Sequence, residues 1–243
     1  MTAGAARDSG GVLSAAAVAG EAFFSGCLAV VTVPHAALQA IVPAAVTLPS
    51  DAGMCRCLLA FGRQEDAAPL LAGVTMPFRV QYHELMVAIP FARRRGDDRS
   101  WLFVAGMACD AWWAVWNGNL HYGFAKQLAA ISWSGGRFLM TDRRGGDLFA
   151  ASVLPSGVAD PTALEWIQRS VALPVLGIRE DRLAMHSRFE WDVSCGKNPP
   201  VAVSITGRSH LRELPAGLDL SPASAYAVHR MRWRLSWPVP AGI

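Results

Sequence analysis

The sequence predicts a mainly β protein of the α+β class, in which an antiparallel sheet curls or closes and a few helices lie at its periphery. Three observations carry this prediction. Short β-branched and aromatic runs recur along the chain, turn signals separate them, and one segment alone has the full signature of a stable helix.

Residues 1–20 are small and Gly/Ala-rich and read as a flexible N-terminal segment, leaving 21–243 as a single domain. Cys27 to Val33 is an apolar β-branched run, and Pro34 opens a short helix, 35–42, that Pro43 ends. Strands are predicted at 54–61, 75–82, 85–91, 101–107, 128–133, 137–142, 147–154, 183–192, 200–206 and 225–237. Turns such as Ser134-Gly-Gly136 and Arg144-Gly-Gly-Asp147 separate them. The strong helix is 161–172: Asp160 is the predicted N-cap, Pro161 takes the first helical position, and Leu164, Ile167 and Val171 recur at helical spacing.

Only 17% of residues are charged and 52% are hydrophobic, so much surface is expected to face a subunit interface or an apolar cavity. A homo-oligomer that binds a small molecule fits both. Arg93-Arg94-Arg95 runs straight into Gly96-Asp97-Asp98, which reads as a solvated hairpin tip, so no nucleic-acid partner is expected. The five cysteines show no metal-ligand spacing and suggest buried thiols in a reducing cytoplasm. Ala22 to Ser50 contains no Asp, Glu, Lys or Arg, yet Pro34, Pro43 and Pro49 break it and His35 and Gln39 sit inside, so a strand and short helix are predicted there and no membrane span. Arg7 is offset by Asp8 and Glu21 interrupts the apolar stretch, which does not suit a signal peptide.

Twenty of the 22 basic residues are arginine, leaving Lys126 and Lys197. A coding bias toward arginine explains most of this. A lysine that persists in such a chain marks a place where arginine does not serve, because a desolvated amine can lose its proton and a guanidinium cannot. Lys197 lies in Cys-Gly-Lys-Asn-Pro-Pro, a loop sequence that reads as solvated. Lys126 lies among aromatic and aliphatic residues with no carboxylate nearby in sequence, where a reactive amine competes with a snorkelling surface lysine.

Gly118-Asn-Leu-His-Tyr-Gly-Phe-Ala-Lys126-Gln-Leu-Ala129 resembles the acetoacetate decarboxylase segment Gly-Arg-Glu-x-x-Gly/Ala-aromatic-Pro-Lys-Lys-Leu. Tyr82-His-Glu84-Leu-Met-Val-Ala-Ile-Pro90 resembles that family's Tyr-x-Glu segment with the same Ala-Ile-Pro ending, and Ala37-Leu-Gln-Ala-Ile-Val-Pro43 is similar to its early Ala-Leu-x-x-Val-Val-Pro. The resemblance covers nearly the whole chain. It implies an antiparallel β-cone or barrel with peripheral helices, a Schiff base on Lys126, and Glu84 beside it to orient substrate or relay a proton. The departures bear on substrate recognition: Asn119 and Leu120 replace Arg-Glu, Ala125 replaces proline, and Gln127 replaces the second lysine. The family's N-terminal arginine has no match in Ala22-Phe-Phe-Ser-Gly26.

Imine chemistry near pH 7 calls for a lysine pKa roughly three units below the ordinary ~10.4, and desolvation alone can supply a shift of that size. On an extended segment residue 127 faces away from residue 126, so Gln127 is tolerable. Phe124, Leu128, Trp112, Trp113 and Trp116 are candidate walls, although the tryptophans also read as one helix face packed into the core. Tyr82 shares a strand face with Glu84 and is placed to donate a hydrogen bond, and His121 and Tyr122 are rim candidates. Arg79 falls on the opposite face.

These readings converge on a carboxy-lyase that decarboxylates an acetoacetate-like β-keto acid with catalytic Lys126 and Glu84, substrate contacts from Tyr82, Phe124, Trp113, Trp116 and His121, and no metal or organic cofactor. Two alternatives stay open: related imine chemistry (aldol condensation, dehydration or cyclisation of a keto acid), and a non-catalytic small-molecule binder on the same fold.

Overall fold

The computed structural model describes residues 18–71, 74–142, 144–155, 158–193 and 199–241. Residues 1–17, Cys195 and the predicted solvated Lys197 lie outside the described residues.

The chain opens with long strands that carry most of the sheet: β1 (Val18–Pro34), β2 (Val46–Thr47), β3 (Met54–Leu71), β4 (Val74–Thr75), β5 (Val80–Arg94) and β6 (Trp101–Cys109). Shorter strands follow as β7 (Lys126–Leu128), β8 (Ala130–Ser134), β9 (Arg137–Thr141), β10 (Asp147–Pro155), β11 (Val175–Ile178), β12 (Ala184–Ser187) and β13 (Phe189–Trp191). The last are β14 (Val201–Ser209), β15 (Leu218–Asp219), β16 (Ser224–Ser236) and β17 (Val239–Pro240). The helices are α1 (His35–Gln39), α2 (Trp112–Asn117), extended by one π-helical turn over Gly118–Tyr122, and α3 (Pro161–Val171).

Following the ladder partners shows why the sheet has so few free edges. β16 pairs with β1, β1 with β3, β3 with β5 and β5 with β6, all antiparallel. β6 then pairs in parallel with β7, and one residue, Ala129, separates β7 from β8. β8 pairs with β9, β9 with β10, β10 with β14 and β14 with β16, which returns the circuit to its start. The predicted closure is therefore met, with the β6–β7 and β6–β11 pairs as parallel exceptions in a mainly antiparallel barrel.

Period-2 alternation gives the long strands two buried faces. One face sends Cys27, Ala29, Leu59, Phe61, Leu85 and Val87 into the barrel interior, where they meet Phe138 and Phe149. The other sends Phe24, Leu28, Leu58, Ala60, Tyr82 and Met86 into a second core covered by α2 and α3. Strands buried on both sides account for the high apolar content.

Several boundaries differ from the sequence reading. β1 begins at Val18, so residues 18–20 belong to the sheet; Gly20, Ser25 and Gly26 hide its first half from a pattern search, and pairing on both sides supplies what propensity lacks. β5 runs unbroken through His83, where two strands are predicted, and residues 183–192 form two strands where one is predicted. β11 goes unpredicted because it is four residues long and contains Gly177. Helix 35–42 ends at Gln39, whereas α3 matches its prediction, with the Asp160 carboxylate accepting from the backbone N–H groups of Thr162 and Ala163. No helix among the described residues is long and apolar enough to cross a membrane.

Candidate active site

Glu84 on β5 and Lys126 on β7 lie two strands apart, with β6 between them. Strand spacing puts their backbones roughly 10 Å apart, a gap that two long side chains on the same face can close. They do: Lys126 Nζ lies 2.6 Å from Glu84 Oε2, and the two side chains are 8% and 9% exposed. At this distance an amine and a carboxylate can exchange a proton.

Each partner is held by further groups. Glu84 Oε1 accepts from Gln64 Nε2 at 3.1 Å, and Gln64 Oε1 accepts from Trp233 Nε1 at 2.7 Å. The result is a buried chain of hydrogen bonds from β16 through β3 to β5, in which the carboxylate has a donor on each oxygen. Lys126 is fixed through its backbone. Asn119 Oδ1 accepts from Lys126 N at 2.5 Å, and Asn119 Nδ2 donates to Lys126 O at 2.8 Å. Gly118 leaves room for the lysine stem, since a Cβ there would stand 2.7 Å from Lys126 Cδ.

The turn into β7 is tight. Gly123 adopts φ +69° and Ala125 φ +48°, both in the left-handed region, which costs a residue with a Cβ about 1–2 kcal/mol. A proline ring, fixed near φ −65°, could not occupy position 125 in this backbone. That gives Ala125 a physical reason for departing from the resembled motif.

The pair opens on a cavity of about 530 Å³. Tyr82, Phe124, Trp113 and Trp116 line it, as the sequence reading places them, together with Tyr122 and Trp112. Burial, reinforced by the charge of Glu84, raises the Tyr82 phenol well above its usual range, so Tyr82 keeps its proton at neutral pH. Burial also pushes the neighbouring Cys109 thiol up to about 11, which removes it as a competing nucleophile at neutral pH.

Four expectations need correction. His121 does not line the cavity; it is exposed, with its ring edge 5.8 Å from Trp116. Leu128 is 40% exposed and also stands outside it. Trp112 and Trp116 are not core residues, being 71% and 58% exposed; α2 lies over the mouth of the cavity, and a helix there turns its aromatic face to the opening. Finally, Lys126 does not stand in a purely apolar setting, because the carboxylate absent from its sequence neighbourhood arrives 42 residues upstream from β5. Gln127 and Leu120 also lie outside the lining. Gln64, Trp233 and Asn119 were missed as site residues. Only Asn119 carried a signal, as a departure two residues before His121.

No protein-family model and no curated protein matches the chain. Solved structures do. Acetoacetate decarboxylase from Legionella pneumophila is similar at 15% identity and a TM-score of 0.60, over 95% of this chain and 90% of that one. The fold is thus the acetoacetate decarboxylase-like one, a closed β architecture with few helices that the ladder circuit describes independently. The enduracididine biosynthesis enzyme MppR, complexed with pyruvate, is similar at 16% identity and a TM-score of 0.60, over 92% of this chain and 90% of that one. An acetoacetate decarboxylase-like enzyme from Sphingomonas wittichii RW1 is similar at 15% identity and a TM-score of 0.56, over 93% and 95%.

Proposed function

We propose that this chain is an imine-forming enzyme in which Lys126 is the nucleophile and Glu84 moves the proton. The observation that carries the reading is the 2.6 Å contact between the two, both buried at one end of an apolar cavity. Glu84 takes the ammonium proton, and the freed amine attacks the carbonyl carbon of a keto acid. Glu84 returns the proton to the carbinolamine oxygen, which leaves as water, and the iminium forms. With a β-keto acid the iminium then accepts the electron pair of the breaking C–C bond as carbon dioxide departs. The enamine takes a proton on carbon, and water hydrolyses the imine to release the ketone and the lysine. The sum is one proton consumed and one carbon dioxide released, as expected of a carboxy-lyase. Tyr82, Phe124, Trp113 and Trp116 enclose the substrate in this scheme.

One observation favours a second reading on the same imine. Among the described residues lining the cavity, Lys126 is the only basic side chain, and Glu84 holds it, while Glu21 adds a further carboxylate. No second cation on that wall receives a substrate carboxylate. An enamine formed from a carbonyl compound that has no carboxylate, and that then attacks a second carbonyl or expels water, needs no such receptor. The similarity to MppR, described as complexed with the condensation product of pyruvate and imidazole 4-carboxaldehyde, is in keeping with this alternative.

Borohydride reduction during turnover tests the imine: intact mass should rise by the reduced adduct on Lys126, and Lys126→Ala should show none. Unmodified protein with a panel of 2- and 3-keto acids would overturn the reading in favour of a non-catalytic binder. Measuring bicarbonate release with the same panel separates decarboxylation from the second reading.

A further inference from the structure

The shape and lining of the cavity exceed what a short keto acid needs. A keto acid of about seven non-hydrogen atoms displaces on the order of 200 Å³, taking the ~30 Å³ that one water occupies for each atom. The cavity holds about 530 Å³, which is in the range of sites that bury drug-sized ligands. The remainder would be water against an apolar wall.

That wall is aromatic to an unusual degree. Six of the nine tryptophans in the chain line it: Trp112, Trp113, Trp116, Trp191, Trp233 and Trp237. They are graded in exposure. Trp233 is 9% exposed beside the buried Gln64, whereas Trp112, Trp116 and Trp237 are 71%, 58% and 48% exposed, and Phe78 joins them at 55%. The cavity therefore runs from a buried polar end, where Lys126, Glu84 and Gln64 meet, to an exposed mouth ringed by aromatic side chains. Trp113 already meets Tyr82 edge-to-face, with centroids 5.4 Å apart at 84°, the geometry in which a further flat ring can join the set.

Resting on the imine reading of Lys126, we infer that the carbonyl substrate carries a large aromatic group, one ring or more, that extends from the reacting carbon toward the mouth between these tryptophans. The carbonyl sits at the polar end and the ring system replaces water along the aromatic wall. Each ring pair so formed strengthens association by roughly two- to tenfold beyond the area it buries. Selectivity then comes from the non-reacting part of the substrate, and the lysine supplies only the chemistry.

The test compares two ketones with the same reacting group, 4-phenylbutan-2-one and butanone, on the full-length protein. Borohydride capture is followed by intact mass against ketone concentration, with Lys126→Met as the control for adducts elsewhere. The phenyl ketone should reach half-capture at about tenfold lower concentration or less. Trp112→Ala and Trp116→Ala, both at exposed positions, should narrow that difference several-fold. Equal half-capture concentrations would overturn the inference and leave the imine reading standing. If neither ketone is captured, the keto-acid panel decides the imine reading, and quenching of tryptophan fluorescence by the same two ketones decides this one: a tenfold preference for the phenyl compound supports the aromatic site, and equal affinity overturns it. A change in sedimentation of the two tryptophan variants with the ketone difference intact would assign the mouth to a subunit contact and also overturn it.

Discussion

On β3 and β5 the side chains of Leu59, Phe61, Leu85 and Val87 enter the barrel, while Ala60, Gln64, Tyr82 and Glu84 on the reverse face border the cavity. The same strands build both regions, and aromatic residues fill both, yet around Phe61 the first is close-packed and the second is hollow. Inside the barrel, Phe61, Phe138 and Phe149 close a triangle, with centroids 5.2 to 5.9 Å apart. Outside it, tryptophans on α2 and on β13 and β16 stand around a space. The difference lies in what covers each face: a closed sheet can shrink around its interior, whereas a helix spanning a concave sheet face cannot. Both faces of the strands carry a buried core, and the candidate site lies on one of them.

Substitutions can break or sharpen that contrast. Phe61→Ala should destabilise the protein by about 3–5 kcal/mol in denaturant titration, whereas Trp116→Ala at the mouth should stay within about 0.5 kcal/mol. Comparable losses would mean that both regions carry the fold. Glu84→Gln keeps the shape of the pair but removes its proton acceptor, and single-turnover trapping should slow by about 10²-fold. Gly118→Ala pushes a methyl group against the Lys126 stem; because that stem can shift, the melting temperature should move little while trapping slows by roughly tenfold.

The smallest effect is electrostatic. Burial raises the Glu21 carboxyl, but hydrogen bonds from Arg232 and Thr75 and the charges of Arg232 and Arg234 outweigh it and leave it below its ordinary value of 4.5. A carboxyl held lower in the folded state than in the unfolded one adds stability above the unfolded value, and loses it as pH falls through the folded value. Glu21→Gln should therefore cost about 0.5 kcal/mol or less at pH 7, given solvent screening. In acid titration the difference from the parent protein should vanish.

The solid region was the easier one to read. Alternation and turn residues locate most barrel strands because each strand reports its own buried face, and Asp160 with Pro161 marks α3 without help from the rest of the chain. The hollow region depends on residues that meet only after folding. Tyr82, Glu84 and Lys126 were found through two spaced segments rather than through local pattern. Gln64 and Trp233, 169 residues apart, look like ordinary strand residues until the sheet brings them together. The tryptophans of α2 read two ways, as cavity wall or as core, because helical spacing reports a common face, not what that face looks onto. Lys126 showed its apolar neighbours in sequence but not its carboxylate, which belongs to another strand.

The amide of Asn119 has one more consequence. Among the described residues β7 has a single strand neighbour, β6, and a strand with an open side invites pairing with another chain. By meeting both backbone groups of Lys126, Asn119 occupies the place that an intruding strand would take. One side chain thereby does for Lys126 what a neighbouring strand does elsewhere in the sheet.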